Sequence, residues 1–412
     1  TIMKKAFYMM AAAAIALSSC SSEETTDVAK SSAISFRTTV GFNTRGAETT
    51  TQNIDKMWVS AFYQKEDKSF FLDQEFTKEN DSKVSLFIPT SPYFWQDGRT
   101  YQFIAISPKK AEWPGTLDIT RDNVICQSLT PAENIADQKD LVIDSNGGGE
   151  SIDDGSGIPL TLKHILSQIQ IKVKNGNENL LYHIAAVRIN NVVGSKKFTF
   201  TNSTRSFKWE NTTPETAATT TYNLTFGNKG VIKLDGKKGG TTEATLTFKP
   251  TDEETAANKT EGGAMILPQT VKPWDGNKVT VTGGVSNYNG GAYISLYLNV
   301  KTATGEKYMY PDGAKDENTY GWVAIPIPTT EWLAGNKYIY TLDMSTGCGK
   351  VDPVDPGENV NPGGTDTSKP GKDPNKGENI FGKAIKFKVE VQEWATDNNI
   401  KDIDSSTGNV KP

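Results

Sequence analysis

Apolar and polar positions alternate with a period of two through most of the chain, and that period marks a strand with one buried face. The first run is ISFRTTVGF at 34–42. Ile34, Phe36, Val40 and Phe42 share one face, while Ser35, Arg37 and Thr39 lie on the other. KMWVSAFY at 56–63 is apolar enough for a central strand, and 84–88, YQFIAIS at 101–107 and 141–143 follow as further strands. PLTLKHILSQIQIKV at 159–173 opens a second series, in which strand candidates recur at 182–190, 222–226, 244–248, 264–267, 278–282, 293–300, 307–310, 322–327 and 337–342. No segment carries a long 3.6-period stripe capped at both ends, so at most short helical turns are expected near Ile165 and Glu331. The pattern predicts an all-β protein of two sandwiches in series. The N-terminal domain spans 33–157 and the C-terminal domain 158–344, with the Gly-, Asp- and Ser-rich loop 145–157 between them.

Beyond 344 the pattern changes. Asp-Pro, Pro-Gly and Lys-Pro steps fill 345–382 and apolar residues almost vanish. The segment reads as a flexible or extended Pro/Gly-rich linker inserted before the last strand. Then comes the cleanest alternation in the chain, KAIKFKVEVQEW at 383–394. Ile385, Phe387, Val389 and Val391 face one way, against Lys386, Lys388, Glu390 and Gln392. Such a strand (383–396) must pair with a sheet, either its own domain's or a neighbouring molecule's. A polar tail occupies 397–412.

Composition agrees with this and narrows the function. The 412 residues fit about two domains. A hydrophobic content of 36% against 23% charged residues suffices for folded cores, and 36 Gly with 19 Pro fits short strands and many turns. A formal net charge of -5 gives no broad attraction to nucleic acid or anionic lipid.

The N-terminus carries an export signal. Lys4 and Lys5 precede the apolar run 6–17, a signal-peptide core too short to span a membrane as a helix. Leu17-Ser18-Ser19-Cys20 is similar to bacterial lipoprotein signals. That likeness implies removal of 1–19 and acylation of the Cys20 thiol, with each buried methylene contributing about 0.8 kcal/mol of membrane affinity. The polar leader 20–32 begins with Ser21-Ser22-Glu23-Glu24, which resembles the leaders of lipoproteins sent to the cell surface in some Gram-negative bacteria. The other two cysteines, Cys126 and Cys348, fall in different predicted domains. Export permits a disulfide between them, and two unpaired buried thiols are the alternative.

No catalytic constellation stands out. The two histidines, His164 and His183, have no metal partner at helical spacing. No H-E-x-x-H, G-x-S-x-G, P-loop or dinucleotide fingerprint occurs. The run GGGESIDDGSG at 147–157 lacks calcium-loop spacing, and Glu253-Glu254 reads as an exposed acidic turn. The expectation is a protein that is not an enzyme, with no cofactor and no metal. One aromatic cluster, Tyr93, Phe94 and Trp95 with Trp113, either forms a glycan platform, with Gln96 and Asp97 as polar contacts, or fills a sandwich core.

Several of these stretches together resemble the fimbrillin family, the Mfa-like lipoprotein subunits of type V pili. They are the Cys20 lipobox, I-x-F with Thr44-Arg45, MWVSAFY at 57, YQFIAISP at 101, H-x-L-S-Q-I at 164–169, W-L-x-G-N-K-Y-x-Y-T at 332–341, and I-x-F-x-V-x-V-x-x-W at 385–394. The resemblance implies two tandem transthyretin-like β-sandwich domains on a lipoprotein held to outer-membrane lipid through Cys20. It implies fimbrial subunits as partners and display at the cell surface in adhesion, as a pilus anchor, stalk or tip, with surface glycans or proteins as further partners. In polymerising members an arginine-specific protease cuts after the first strand, which then leaves, and a donor strand from the next subunit fills its groove. Carried onto this chain, Arg45 is the cleavage candidate and Arg37, inside the strand pattern, is less suited. Ile34, Phe36, Val40 and Phe42 are the removable strand, and Ile385, Phe387, Val389 and Val391 the candidate donor. The alternative is a surface glycan-binding lipoprotein of an uptake system using Tyr93, Trp95 and Trp113.

Overall fold

The structure, a computed structural model, describes residues 33–40, 54–79, 86–148, 157–212, 219–227, 230–236, 243–247, 262–283, 285–360, 373–382, 385–393 and 401–403. In chain order the strands begin with β1 (Phe36–Val40), β2 (Lys56–Tyr63), β3 (Ser69–Lys78), β4 (Leu86–Pro89) and β5 (Tyr101–Ser107). Next come β6 (Leu117–Ile119), β7 (Asn123–Leu129), β8 (Val142–Gly148), β9 (Ile158–His164) and β10 (Ser167–Lys174). The middle of the chain forms β11 (Leu180–Val193), β12 (Lys196–Thr201), β13 (Ser206–Asn211), β14 (Thr219–Thr225), β15 (Ile232–Asp235), β16 (Ala244–Thr245), β17 (Ala264–Ile266) and β18 (Gln269–Thr270). After the short β19 (Val281–Thr282) and β20 (Val285–Ser286) come β21 (Tyr293–Thr302), β22 (Tyr308–Tyr310), β23 (Gly321–Pro326), β24 (Glu331–Trp332) and β25 (Asn336–Asp343). β26 (Lys350–Val351), β27 (Lys386–Glu393) and β28 (Lys401–Ile403) end the series. The protein is nearly all-β, with only short 3-10 turns such as Lys110–Glu112 and Ile135–Asp137.

The N-terminal unit is a closed barrel in the order β1-β4-β3-β2-β5-β8-β9. An open two-sheet sandwich was expected there. Closure comes from β9, which the sequence pattern assigns to the second domain. Its inward Ile158, Leu160 and Leu162 line up in parallel with β1, and its far end pairs with β8. The interior is filled by one face of every strand, among them Phe36, Met57, Phe76, Phe87, Phe103 and Leu160.

The C-terminal unit is a two-sheet sandwich. One sheet runs β16-β10-β25-β27-β28, with β10 and β25 parallel; the other runs β14-β11-β21-β23-β26. Their inner faces share one core, in which Ile169 and Tyr340 meet Val187, Leu296 and Val323. A third layer ties the units together. The hairpin β12–β13 leaves the C-terminal unit and pairs with β7, giving the four-stranded sheet β13-β12-β7-β6. Beneath it lie Ile104, Ile106 and Ile143, the outward faces of barrel strands β5 and β8. Two apolar faces on one strand explain why YQFIAIS shows little alternation.

Part of the expected linker is packed structure. Within 345–360 and 373–382, Cys348, Val351, Val360 and Ile380 join the sandwich core, and β26 pairs with β23. Four well-spaced apolar residues suffice to dock a strap whose Asp and Gly residues make its turns. The carboxylate of Asp352, for instance, accepts from the Val354 and Asp355 amides at 2.9 and 3.0 Å. Residues 361–372 lie outside the described set.

Candidate functional site: the seat of the first strand

β1 is held on both sides. Phe36 and Arg37 pair with Phe87 and Leu86 of β4, and Phe36 to Val40 pair in parallel with Ile158 to Leu162 of β9. The segment before it is also fixed: the Ile34 amide donates to the Tyr93 carbonyl at 2.7 Å, and the Ile158 amide donates to the Ser35 carbonyl at 2.9 Å. β1 is therefore an interior strand of the barrel. Its removal would open the barrel and leave two unpaired edges, on β4 and β9.

The side chains match that position. Ile34 and Phe36 are wholly buried and Val40 nearly so, while Arg37 and Thr39 point to solvent. The Phe36 ring meets Phe76 and Phe103 edge-on, with centroids 5.0 and 5.2 Å apart. Thr38 is buried too and donates its hydroxyl to the Met57 sulfur at 3.5 Å. Burial of each large apolar side chain contributes about 1.5–3 kcal/mol, so this strand does not leave spontaneously. Cys20, Phe42 and Arg45 lie outside the described residues. Arg37 is exposed but sits in a backbone ladder on both sides, a poor substrate geometry for a protease.

The terminal strand lies in the other unit. β27 pairs antiparallel with β25, from Asp343↔Lys386 to Asn336↔Glu393, and β28 pairs outside it. Val389 is buried in the sandwich core, and Ile385, Phe387 and Val391 pack against it half-covered. The apolar face of β27 thus has less cover than that of β1.

The three candidate glycan-binding rings do not form one face. Trp95 is buried in the barrel against Tyr101 and Phe103, with centroids 5.5 and 5.9 Å away. Trp113 is buried in the layer between the units, where its indole donates to the Pro108 carbonyl at 3.0 Å. Tyr93 is half-buried on the barrel, its ring tilted against Phe71 with centroids 4.3 Å apart and its hydroxyl donating to Gln74. Trp95 and Trp113 are core side chains in different layers and Tyr93 lies apart on the barrel surface, so the three rings do not make the expected platform.

A family model described as fimbrillin-like matches residues 44–358. The chain belongs to this family. No curated protein matches it. Among solved structures it is similar to a fimbrial protein from Bacteroides vulgatus, at 15% identity and a TM-score of 0.47, covering 87% of this chain and 99% of that one. It is similar also to a fimbrial assembly protein from Parabacteroides distasonis, at 8% identity and a TM-score of 0.35, covering 90% and 99%.

In this fimbrillin-like chain the family match begins after β1 and ends before β27. Of the residues that receive β1, Phe87 and Phe103 fall in strands that the sequence pattern predicts, whereas Phe76 lies on β3, a strand absent from that pattern, and alternation does not say which ring meets which. A polar clamp beside the seat went unread as well. Asp144 on β8 is fully buried, accepts from the Thr161 amide of β9 at 2.7 Å, and pairs with the Arg205 guanidinium from the β12–β13 turn. Arg205 lies in the left-handed region at φ 50°, and its carbonyl accepts from Lys163 at 2.6 Å. The clamp therefore ties the β8–β9 side of the seat to the second unit. Among the described residues no group of His, Cys, Asp or Glu is arranged to hold a metal ion, and no helix is long and apolar enough to cross a membrane.

Proposed function

We propose that this fimbrillin-like protein is a cell-surface fimbrial subunit serving in adhesion, assembled by release of β1 and insertion of a donor strand. The observation that carries the reading is the seat itself: one short strand, bonded on both sides, fills an apolar slot that the rest of the barrel lines. An arginine at 45 follows that strand directly. The donor candidate repeats its inward pattern: Ile34, Phe36, Thr38 and Val40 have the spacing of Ile385, Phe387, Val389 and Val391. A strand with similar residues at the same period, differing only in Val389 for Thr38, would restore the apolar contacts and both backbone ladders. Within one molecule β27 is engaged by β25, so donation requires its release there. The acylated Cys20 would hold the precursor to the outer membrane until the cut.

Digesting the purified full chain with an arginine-specific protease tests the assembly step. The expected result is a cut after Arg45, loss of the segment through 45 as followed by mass spectrometry, and SDS-resistant ladders. A product that retains β1 and never forms ladders overturns it. Loss of palmitate labelling in Cys20→Ala cells is the expected result for the anchor, and unchanged labelling overturns that part.

A further inference from the structure

The outer face of the second sandwich sheet holds a built polar cavity that strand exchange does not use, with a volume of about 600 Å³. Its floor comes from alternate positions of neighbouring strands. Asn190 on β11 stands opposite Thr221 of β14 on one side and Tyr293 of β21 on the other; one row along, Arg188 stands between Asn223 and Ser295. An ordinary solvated sheet face would carry separate exposed polar side chains. Here the floor is buried and joined. The Asn190 amide donates to the Ser295 hydroxyl at 2.8 Å, Ser295 donates to the Asp352 carboxylate at 2.6 Å, and Thr221 donates to the Asn190 carbonyl at 3.2 Å. Asn190, Ser295, Tyr293 and Asp352 are all buried.

The walls are equally fixed. The Arg188 guanidinium lies 3.7 Å from the Trp322 ring centre and bonds Asp355 at 3.3 Å. On the opposite wall Thr220 donates to Glu133 at 2.8 Å, and the Asn223 amide donates to the Glu133 carbonyl. Tyr288 closes one end, its hydroxyl taking a 2.9 Å bond from Asn191.

The cavity's chemistry selects its ligand class. Glu133, Asp352 and Asp355 outnumber the single Arg188 in the lining, which disfavours phosphate and carboxylate ligands by like-charge repulsion. The lining includes the rings of Tyr288, Tyr293 and Trp322, but Asn, Thr, Asp and Glu side chains predominate in it, which disfavours a wholly apolar ligand. It interleaves donors and acceptors at short range, which suits hydroxyl groups, since each both donates and accepts. The volume lies in the range of small-ligand sites. We infer that this groove binds a neutral saccharide, with Asn223 and Arg188 donating to its hydroxyls and Asp355 and Glu133 accepting from them. The site is independent of β1 and of strand exchange.

Screening the fluorescently labelled full chain on an array of neutral and acidic oligosaccharides, then titrating the best neutral binder by calorimetry, tests this. Asn223→Ala keeps the backbone bond to Glu133, and Arg188→Met keeps an apolar stem over Trp322. Each should weaken binding at least tenfold while the unfolding midpoint stays near that of the parent. Silence on neutral glycans, binding confined to acidic ones, or neutral binding unchanged in both variants overturns the assignment. If a variant unfolds early, protection of Trp322 fluorescence from quenching by the same glycan on the parent chain decides it: protection supports the groove, and none overturns it.

Discussion

Phe36 concentrates the energetics of the first strand in one ring. It is fully buried and makes edge contacts with Phe76 and Phe103, and truncating such a ring leaves a cavity that rigid neighbours cannot fill. Phe36→Ala should lower barrel stability by about 3–5 kcal/mol in urea denaturation. Arg37→Ala on the same strand, facing solvent, should stay within about 0.5 kcal/mol. Equal effects of the two would refute the seat as described. Asp144 supplies a second residue-level case. Its carboxylate is fully buried while its partner Arg205 is partly exposed, so solvent screens part of the pair. Arg205→Ala leaves a buried acceptor short of one partner and should cost about 1–3 kcal/mol; Asp144→Asn with Arg205→Ala together should recover part of that loss. A double variant no better than the single would show that the pair contributes little. At this scale the sequence showed which residues of β1 face inward, because alternation is local. It gave no sign of the clamp, since Asp144 and Arg205 lie far apart in the chain and neither breaks its local pattern.

Strands show the same division between local and distant information. Ile158, Leu160 and Leu162 announce a strand, yet the same alternation serves a barrel or a sandwich equally, so the pattern alone places β9 in the second domain whereas the structure puts it in the barrel. The strap at 373–382 was missed because Pro, Gly and Asp dominate its composition, although turn-forming residues can dock once a few apolar side chains reach a core. Two features hold it. Gly377 sits at φ 77°, and a Cβ there would lie 2.4 Å from the Asn277 carbonyl oxygen, so Gly377→Ala should unseat the strap and expose the 277–279 and 349–351 amides to hydrogen exchange. Unchanged protection there would refute the docking. Glu378 is held down to about 2, chiefly by Lys278 at 2.9 Å and then by the Asn375 backbone and side-chain amides. The unfolded chain protonates this carboxyl in the ordinary range near 4.5, so between about 4.5 and 2 the unfolded state binds more protons than the folded one. Its contribution is complete above that window and disappears as pH falls through it. Because the pair is more than a third exposed, the contribution is below about 1 kcal/mol. Acid titration of stability should be shallower between those values in Glu378→Gln, and parallel curves for variant and parent would remove Glu378 from the account.

At the scale of the molecule, the arrangement of the units decides how the chain would survive the strand loss that the proposed exchange requires. Two independent sandwiches in series would unfold separately, and a barrel stripped of β1 would collapse alone. The four-stranded sheet makes a different prediction. It takes β6 and β7 from the N-terminal half and β12 and β13 from the C-terminal half, and buries Ile104, Ile106 and Ile143 of the barrel beneath Phe198 and Phe200. The barrel wall formed by β5, β8 and β9 is thereby braced from outside by elements that do not touch β1. Shared burial of this kind couples unfolding, since neither unit keeps its full core when the other melts. Calorimetry of the full chain should therefore give one main transition, and Phe198→Ala should lower the melting of barrel and sandwich signals together. Two transitions, with only one moved by that substitution, would show that the units are independent. The bracing also gives the seat its physical basis. Were β1 removed, the wall that carried it on the β9 side would remain fixed by the Asp144–Arg205 clamp and the sheet behind it. In the proposed exchange, that fixed wall would preserve the shape of the slot for a donor strand.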